Sequence, residues 1–190
     1  YDSVRDKVAK FLNANRKEEI VFTSGSTASL NMAIEGLSHM FNKGDTILTT
    51  YLEHASNILP IFRVAKEKEL NVKYIPLNED GTFNLENYKN CFDSSVKAVC
   101  ITYVSNVLGY INPIKEICEI AHENNALVLV DGAQAVPHIK VDVKDIDCDF
   151  LSFSAHKMLG PSGVGILYGK YDLLKRMNPM FLGGGANARF

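Results

Sequence analysis

Short apolar segments alternate with helix-like segments along this chain, and this alternation restricts the fold more than any other feature. Residues 126–130 read Ala-Leu-Val-Leu-Val, and most of residues 96–104 are apolar as well. A strand with one solvent-exposed face alternates apolar and polar residues, whereas a strand buried on both faces is apolar throughout. Such strands, separated by helices, are typical of parallel sheets. The sequence therefore predicts an α/β fold, a three-layer sandwich in which helices cover both faces of a mostly parallel sheet.

The predicted elements follow this pattern over the whole chain. Strands are expected at residues 20–23, 46–50, 71–77, 96–104, 126–130, 150–153 and 163–168. Helices are expected at residues 28–41 and 57–70 and after Pro113, where apolar residues recur with the period of a helix. Pro60 is expected near the first turn of the second of these helices, where its missing N–H does little harm.

Composition narrows the possible functions. The 190 residues carry a formal net charge of −2 with scattered Lys and Arg, which predicts one ordinary core and neither nucleic-acid nor membrane-surface partners. No apolar run approaches the roughly 20 residues that span a bilayer. The four cysteines show no metal-ligand spacing, so we expect buried thiols, no metal site and a cytoplasmic location. Tyr1 at the start and a loop-like end at residues 181–190 predict a piece of a longer protein.

Several side chains with catalytic or binding chemistry follow predicted strands. Residues 24–27, His54, Asn106, Asp131 and Lys157 each come just after a strand of the predicted sheet. Ligands of open α/β sheets bind outside the carboxyl ends of the strands. We therefore expect these residues to meet at one edge of the sheet.

Asp131 and Lys157 are the most informative pair. A carboxylate that ends an apolar strand is partly desolvated and needs a partner, which the protonated ring nitrogen of pyridoxal phosphate would supply. A lysine at a neighbouring strand end can form a Schiff base with the same cofactor. The pair therefore predicts pyridoxal 5'-phosphate with Lys157 as its covalent anchor. The alternatives are a helix N-cap at Asp131 and an ordinary surface lysine at position 157.

A phosphate site is predicted beside this pair. Residues 23–29 read Thr-Ser-Gly-Ser-Thr-Ala-Ser and join a strand to a helix. Small hydroxyl residues, free backbone N–H groups and a helix N-terminus together favour a phosphate. Ser154 and His156 also flank a phosphate-sized position. The alternative for residues 23–29 is an ordinary Ser/Thr N-cap, which any helix favours.

Three further polar side chains have a functional interpretation, and two of them, His54 and Asn106, have a structural one as well. His54 could stack on a cofactor ring or act as an acid and base, or it could be a surface or structural histidine. Asn106 could donate to the cofactor's phenolic oxygen or to a substrate carboxylate, or it could only form a loop that ends at Gly109. Gln134 could hydrogen-bond the phenolic oxygen.

With these motifs assembled, the chain resembles the class V, fold-type I pyridoxal-phosphate enzymes, in particular the cysteine desulfurase and selenocysteine lyase branch and its group II desulfurases. The resemblance covers essentially all 190 residues, and its motifs occur in the family's order. The matching strings are Thr-Ser-Gly-Ser-Thr at 23–27, Glu-His-Ala-Ser-Asn at 53–57, Ser-Asn-Val-Leu-Gly at 105–109, Asp-Gly-Ala-Gln-Ala at 131–135, Ser-Ala-His-Lys at 154–157 and Gly-Pro-Ser-Gly-Val-Gly-Ile-Leu-Tyr at 160–168.

The resemblance implies a role for each candidate residue. Lys157 would be the Schiff-base lysine and proton carrier, and Asp131 would be the partner of the pyridinium. His54 would stack on the ring and serve as an acid and base. Gln134 and Asn106 would surround the phenolic oxygen. The phosphate would be held by Ser26, Thr27, Ser154 and His156.

The resemblance also implies a reaction and partners. The family branch converts L-cysteine to L-alanine and passes the sulfur to an enzyme cysteine, for iron–sulfur cluster assembly or other sulfur delivery through an acceptor protein. A homodimer is expected. The attacking cysteine, the arginine that binds the substrate carboxylate, an N-terminal segment and the small C-terminal domain are expected outside this chain. Residues 1–190 would then form the central part of the cofactor-binding large domain and be inactive alone; Arg189 is not assigned the carboxylate role.

Other functions fit part of this pattern. Selenocysteine lyases, aminotransferases and kynureninase-like hydrolases share the same lysine, aspartate and phosphate site. A cofactor-free scaffold or interaction domain is an alternative of a different class, and it would give no visible cofactor absorption with added pyridoxal phosphate. A nucleotide-binding Rossmann domain is disfavoured because no Gly-x-Gly-x-x-Gly opens a βαβ unit.

Overall fold

The computed structural model describes residues 2–181, which contain one mixed sheet flanked by helices. The strands are β1 (Ile20–Thr23), β2 (Thr46–Thr49), β3 (Asn71–Tyr74), β4 (Val96–Thr102), β5 (Leu127–Asp131), β6 (Phe150–Ser154) and β7 (Gly165–Gly169). The helices are α1 (Asp2–Phe11), α2 (Ser26–Leu37), α3 (Ala55–Lys68), α4 (Leu85–Lys89), α5 (Ile114–Glu123), α6 (Ala135–His138), α7 (Val143–Ile146) and α8 (Tyr171–Arg176).

The sheet has seven strands in the order β1-β7-β6-β5-β4-β2-β3. Strands β3, β2, β4, β5 and β6 pair in parallel, and β7 pairs antiparallel with both β6 and β1. The register of the central strands places Thr102 beside Asp131 and Asp131 beside Ser152. The predicted mostly parallel sheet is therefore confirmed, and its parallel strands end together at the edge where the polar motifs begin.

Helices cover both faces of the sheet. Along β4, Val99 and Ile101 belong to one apolar cluster, whereas Ala98 and Cys100 belong to the other. The first cluster includes the buried stripe of α5, and the second includes the buried faces of α2 and α3. This double burial explains why the central strands are apolar throughout, and it confirms the three-layer sandwich.

Several element boundaries differ from the sequence-based prediction by a few residues. Strand β4 ends at Thr102 rather than 104, because Val104 turns away to form an isolated bridge with Ile111. Strand β3 ends at Tyr74 rather than 77, and β7 begins at Gly165 rather than 163. The helix predicted at 28–41 begins at Ser26 and ends at Leu37, followed by a 3-10 turn at Ser38–Met40.

The expected place of Pro60 was wrong. Helix α3 begins at Ala55 instead of 57, because the side chain of His54 accepts a hydrogen bond from the amide of Ser56 and caps the helix. Pro60 is consequently the sixth residue of α3 and lies buried inside the helix. Helices α1, α4, α6, α7 and α8 were not predicted, and most of them are too short to show a helical period.

Candidate functional site

A cavity of about 250 Å³ opens at the carboxyl edge of the parallel strands. Every site residue that the sequence predicted lines this cavity. The side chains come from the ends of β4, β5 and β6, from the first turns of α2 and α3, and from the loops between them. These predicted residues are Ser26, Thr27, His54, Asn106, Asp131, Gln134, Ser154, His156 and Lys157.

Asp131 is the buried acid of the site. It is the last residue of β5, its side chain is only 4% exposed, and one carboxylate oxygen accepts a hydrogen bond of 2.9 Å from the amide of Ala133. Burial raises the pKa of Asp131, and the nearby amino group of Lys157 and ring of His54 oppose that shift. The carboxylate does not cap a helix, because α6 begins four residues later. A buried carboxylate in this setting is stabilised by a cation that enters the cavity.

Lys157 lies in the turn that leaves β6. Strand β6 ends at Ser154, and a 3-10 turn follows at Ala155–Met158. The turn is closed by a hydrogen bond of 2.8 Å from the amide of Gly160 to the carbonyl of Ala155. Lys157 and His156 are exposed at the cavity. A lysine on a short, hydrogen-bonded turn keeps its amino group accessible, which a covalent anchor needs.

The start of α2 is tied to the end of β6 through hydroxyl groups. The amide of Ser26 donates to Ser154 Oγ over 2.7 Å, and the hydroxyls of Ser26 and Ser152 are 3.0 Å apart. The following first-turn amides of α2, those of Thr27 and Ala28, have no acceptor within the helix. These groups therefore offer N–H and O–H donors at the positive end of a helix, which favours an anion.

His54 and Gln134 are each at a helix start as well as at the cavity. His54 Nδ1 accepts a hydrogen bond from the amide of Ser56, which is a structural role. The same residue also lines the cavity, as its functional interpretation requires. Gln134 precedes α6 without capping it through its side chain, which instead lines the cavity. Asn106 lies on an exposed loop that the hydroxyl of Ser105 organises by accepting from the amide of Leu108 over 3.1 Å.

The sequence did not single out four residues that also line the cavity, namely Ser56, Thr102, Val104 and Ala133. Thr102 lines the cavity because of the register of β4 with β5, and Val104 lies in the bridge to Ile111; no linear pattern reveals either contact. Ser56 lies two residues after His54 in the 53–57 motif. That spacing could have indicated their contact, because the side chain of an N-cap residue accepts a hydrogen bond from the amide two or three residues later.

Glu53 is a second acid behind the site. Its carboxylate accepts hydrogen bonds of 2.7 Å from the hydroxyl of Thr50 and 2.7 Å from the side-chain amide of Asn57. Desolvation by burial nevertheless raises the pKa of Glu53 from 4.5 to about 7, and the negative charge of Asp131 adds to the rise. Glu53 therefore gains a proton near neutral pH more readily than an ordinary glutamate.

This shift predicts a pH-dependent gain in stability for Glu53→Gln. The folded protein holds the Glu53 proton up to pH of about 7, whereas the unfolded chain releases it at about 4.5, so stability falls as pH rises through that window. The loss is at most about 3 kcal/mol above that window. The neutral amide avoids this loss, and Asn57 can rotate its own amide to accept from the new NH₂ group.

We expect Glu53→Gln to raise the free energy of unfolding at pH 8 by about 1–2 kcal/mol and to give no gain at pH 4.5. Denaturant unfolding of the cofactor-free protein at both pH values is the measurement. Glu79→Gln, an exposed change in a turn, is the control. An equal effect of Glu53→Gln at both pH values would contradict the raised pKa.

The four cysteines are all buried, as the sequence predicted. Burial raises the pKa of each thiol, and the thiolate is the nucleophilic form of cysteine. None of them lines the cavity. Cys91, Cys100, Cys118 and Cys148 are therefore poorly suited to attack a bound substrate.

Within residues 2–181, no group of three or more His, Cys, Asp or Glu side chains is arranged to hold a metal ion. In the same part of the chain, no helix has both the length and the apolar character needed to cross a membrane. Arg189, which the sequence left without a role, lies outside the described residues.

Comparison with known proteins finds relatives that match nearly the whole chain. A cysteine desulfurase from Serratia proteamaculans is 46% identical over 184 residues, which is 96% of this chain and 45% of that protein. A probable cysteine desulfurase from Halalkalibacterium halodurans is 46% identical over 185 residues, covering 97% of this chain and 46% of that protein. The chain thus spans less than half the length of these relatives.

Solved structures give the same fold. The cysteine desulfurase CsdA from Escherichia coli superimposes with a TM-score of 0.93 at 36% identity, over 97% of this chain and 46% of that one. The apo cysteine desulfurase from Thermococcus onnurineus NA1 also has a TM-score of 0.93, at 39% identity over 97% of this chain and 46% of its own. The class-V aminotransferase family model matches residues 1–190. The chain therefore belongs to the class-V aminotransferase family.

Proposed function

We propose that the cavity binds pyridoxal 5'-phosphate and that Lys157 is its covalent anchor. The observation that carries this proposal is the placement of a buried carboxylate, an accessible lysine and a helix N-terminus around one cavity of about 250 Å³. Each group suits a different part of the cofactor: Asp131 suits the cationic ring nitrogen, Lys157 the aldehyde and the start of α2 the phosphate. When bound, the cofactor supplies an electron sink for the carbanion formed at the substrate α-carbon.

The roles of the other residues follow from their positions. Asp131 would hold the ring nitrogen protonated, because its burial makes a neighbouring cation favourable. Lys157 would move a proton to and from the substrate α-carbon. His54 would pack on the ring and exchange protons there, and Gln134 and Asn106 would donate to the phenolic oxygen. The phosphate ligands would be Ser26, Thr27, Ser154 and His156.

The reaction proposed for the complete protein is that of a cysteine desulfurase. L-Cysteine would react with an enzyme thiol to give L-alanine and a persulfide on the enzyme, so the substrate C–S bond breaks as an S–S bond forms. The names of the relatives support this choice. Because all four cysteines of the chain are buried, we expect the attacking thiol to come from another part of the protein. A sulfur-acceptor protein, a homodimer and a cytoplasmic location are part of the proposal.

Other class-V chemistries remain the alternative. Selenocysteine lyase, aminotransferase and kynureninase-like activities would use the same lysine and aspartate, and the cavity residues do not distinguish among them. The distinguishing feature is a cysteine that can reach the substrate from outside this chain. The relatives named as cysteine desulfurases favour cysteine desulfurase activity.

The test is product analysis with the complete protein, pyridoxal phosphate, L-cysteine and a thiol reductant. We expect L-alanine and sulfide in equal amounts, and no alanine from the 190-residue chain alone, because catalysis needs the attacking thiol held beside the substrate. Amino-group transfer to a keto acid without sulfide would favour an aminotransferase. Sustained alanine formation by the 190-residue chain would direct the search for a nucleophile to its own cysteines.

A further inference from the structure

The contacts of His54 restrict where its imidazole ring carries a proton. Nδ1 accepts a hydrogen bond of 3.1 Å from the backbone amide of Ser56. A backbone N–H group can only donate, so Nδ1 is the unprotonated nitrogen in this arrangement. A proton on Nδ1 would place two donors against each other and break the cap of α3. The neutral ring therefore carries its proton on Nε2.

The Ser56 hydroxyl adds a second contact to the same nitrogen. Ser56 Oγ is 3.0 Å from His54 Nδ1 and 2.8 Å from Thr27 Oγ1. Since Nδ1 is an acceptor, the hydroxyl of Ser56 can donate to it, and Ser56 Oγ then accepts from the hydroxyl of Thr27. In this arrangement the hydroxyl of Thr27 donates to Ser56, and the hydroxyl of Ser56 donates to His54.

This bridge joins the two helix starts that border the cavity. Thr27 is on the first turn of α2, Ser56 is on the first turn of α3, and both line the cavity with His54. A second polar contact joins the same helices further along, where Arg63 donates to Asn31 over 3.0 Å. Helix α2 also begins beside Ser154, so the position of the imidazole ring is tied to the predicted phosphate ligands.

We propose that Ser56 is a positioning residue, which holds the His54 ring with its proton on Nε2 and links it through Thr27 to the start of α2. This inference rests on the proposed function only for its kinetic consequences. It also specifies how Thr27 would bind a phosphate. Because its hydroxyl donates to Ser56, Thr27 would offer its backbone amide instead. His54 lines the cavity, and its neutral ring carries its N–H group at Nε2.

The direct test is ¹⁵N NMR of the complete, cofactor-free protein labelled at histidine, at pH 8. His54→Gln assigns the His54 signals by their loss. We expect Nδ1 to resonate as an unprotonated nitrogen and Nε2 as a protonated one, and Ser56→Ala to keep this tautomer because the backbone amide remains. A proton on Nδ1 of His54 in the unsubstituted protein would overturn the proposal. This readout does not depend on any turnover.

The kinetic test compares Ser56→Ala with Ser56→Thr, which keeps the hydroxyl. We expect Ser56→Ala to lower kcat about tenfold with KM changed little, because the loosened ring is misplaced by a fraction of an ångström. Ser56→Thr should stay within about twofold of the unsubstituted enzyme, since only the hydroxyl is needed. Ser94→Ala, an exposed serine before β4, is the control. An unchanged kcat for Ser56→Ala, or an equal loss for Ser56→Thr, would overturn the role of the hydroxyl.

Discussion

If the proposed function holds, replacing Lys157 by alanine should lower turnover of L-cysteine by the complete protein at least about 10³-fold, because this one residue would supply both the covalent anchor and the proton transfer. The fold should be unaffected, since Lys157 is exposed in a turn whose hydrogen bonds use only backbone groups. Alanine formation, measured together with the unfolding temperature, separates these two effects.

Two variants control this experiment. Lys157→Arg keeps a positive charge near Asp131 but cannot attach a carbonyl compound, so it should be as inactive as Lys157→Ala. Lys144→Ala removes an exposed lysine from α7 and should leave turnover unchanged. Activity that survives in Lys157→Arg would show that the site needs only a cation at this position.

Gly165→Ala should cause the largest loss of stability among conservative changes near the site. Gly165 begins β7 and is paired with both Thr23 of β1 and Ser154 of β6. A methyl group at this position would overlap the backbone of Gly25, just before α2. Backbone cannot give way as a flexible side chain does, so we expect a loss of about 3 kcal/mol or more.

The same substitution should weaken cofactor binding even in molecules that remain folded. Gly25 directly precedes α2, so moving it would displace Ser26, which contacts the hydroxyls of Ser152 and Ser154 on β6. Denaturant unfolding and a pyridoxal phosphate titration measure the two effects. Gly163→Ala is the matched control: it has open space around the added methyl but a φ of 78°, so only about 1 kcal/mol is expected. Equal stability of the two variants would contradict the close approach of Gly25 and Gly165.

The layer arrangement could be predicted from the sequence because burial on both faces leaves a direct mark on it. The apolar residues before Asp131 indicate a buried strand, and the apolar stripe after Pro113 indicates a helix with one buried face. The structure contains both elements. The meeting of Asp131 and Lys157 at one edge also follows from general rules for parallel sheets. The burial pattern depends on the residues of single elements, and the meeting at one edge follows from the parallel arrangement of the strands.

The remaining features depend on particular contacts and on packing, which hydrophobic patterns do not show. The place of β1 at one edge of the sheet depends on its antiparallel pairing with β7, which lies far away in sequence. The true start of α3 is decided by the side chain of His54, and the shifted place of Pro60 follows from it. Glu53 was not expected to titrate unusually, because its burial comes from packing that the local sequence does not encode.

Covalent attachment of pyridoxal phosphate to Lys157 tests the central claim most directly. The complete protein is incubated with pyridoxal phosphate, reduced with borohydride, which traps an imine, and digested for peptide mass analysis. We predict that the reduced cofactor is found on the peptide that contains Lys157 and that Lys157→Ala carries none at any position. Cofactor trapped on another lysine, or bound cofactor that borohydride never fixes to the protein, would contradict the account.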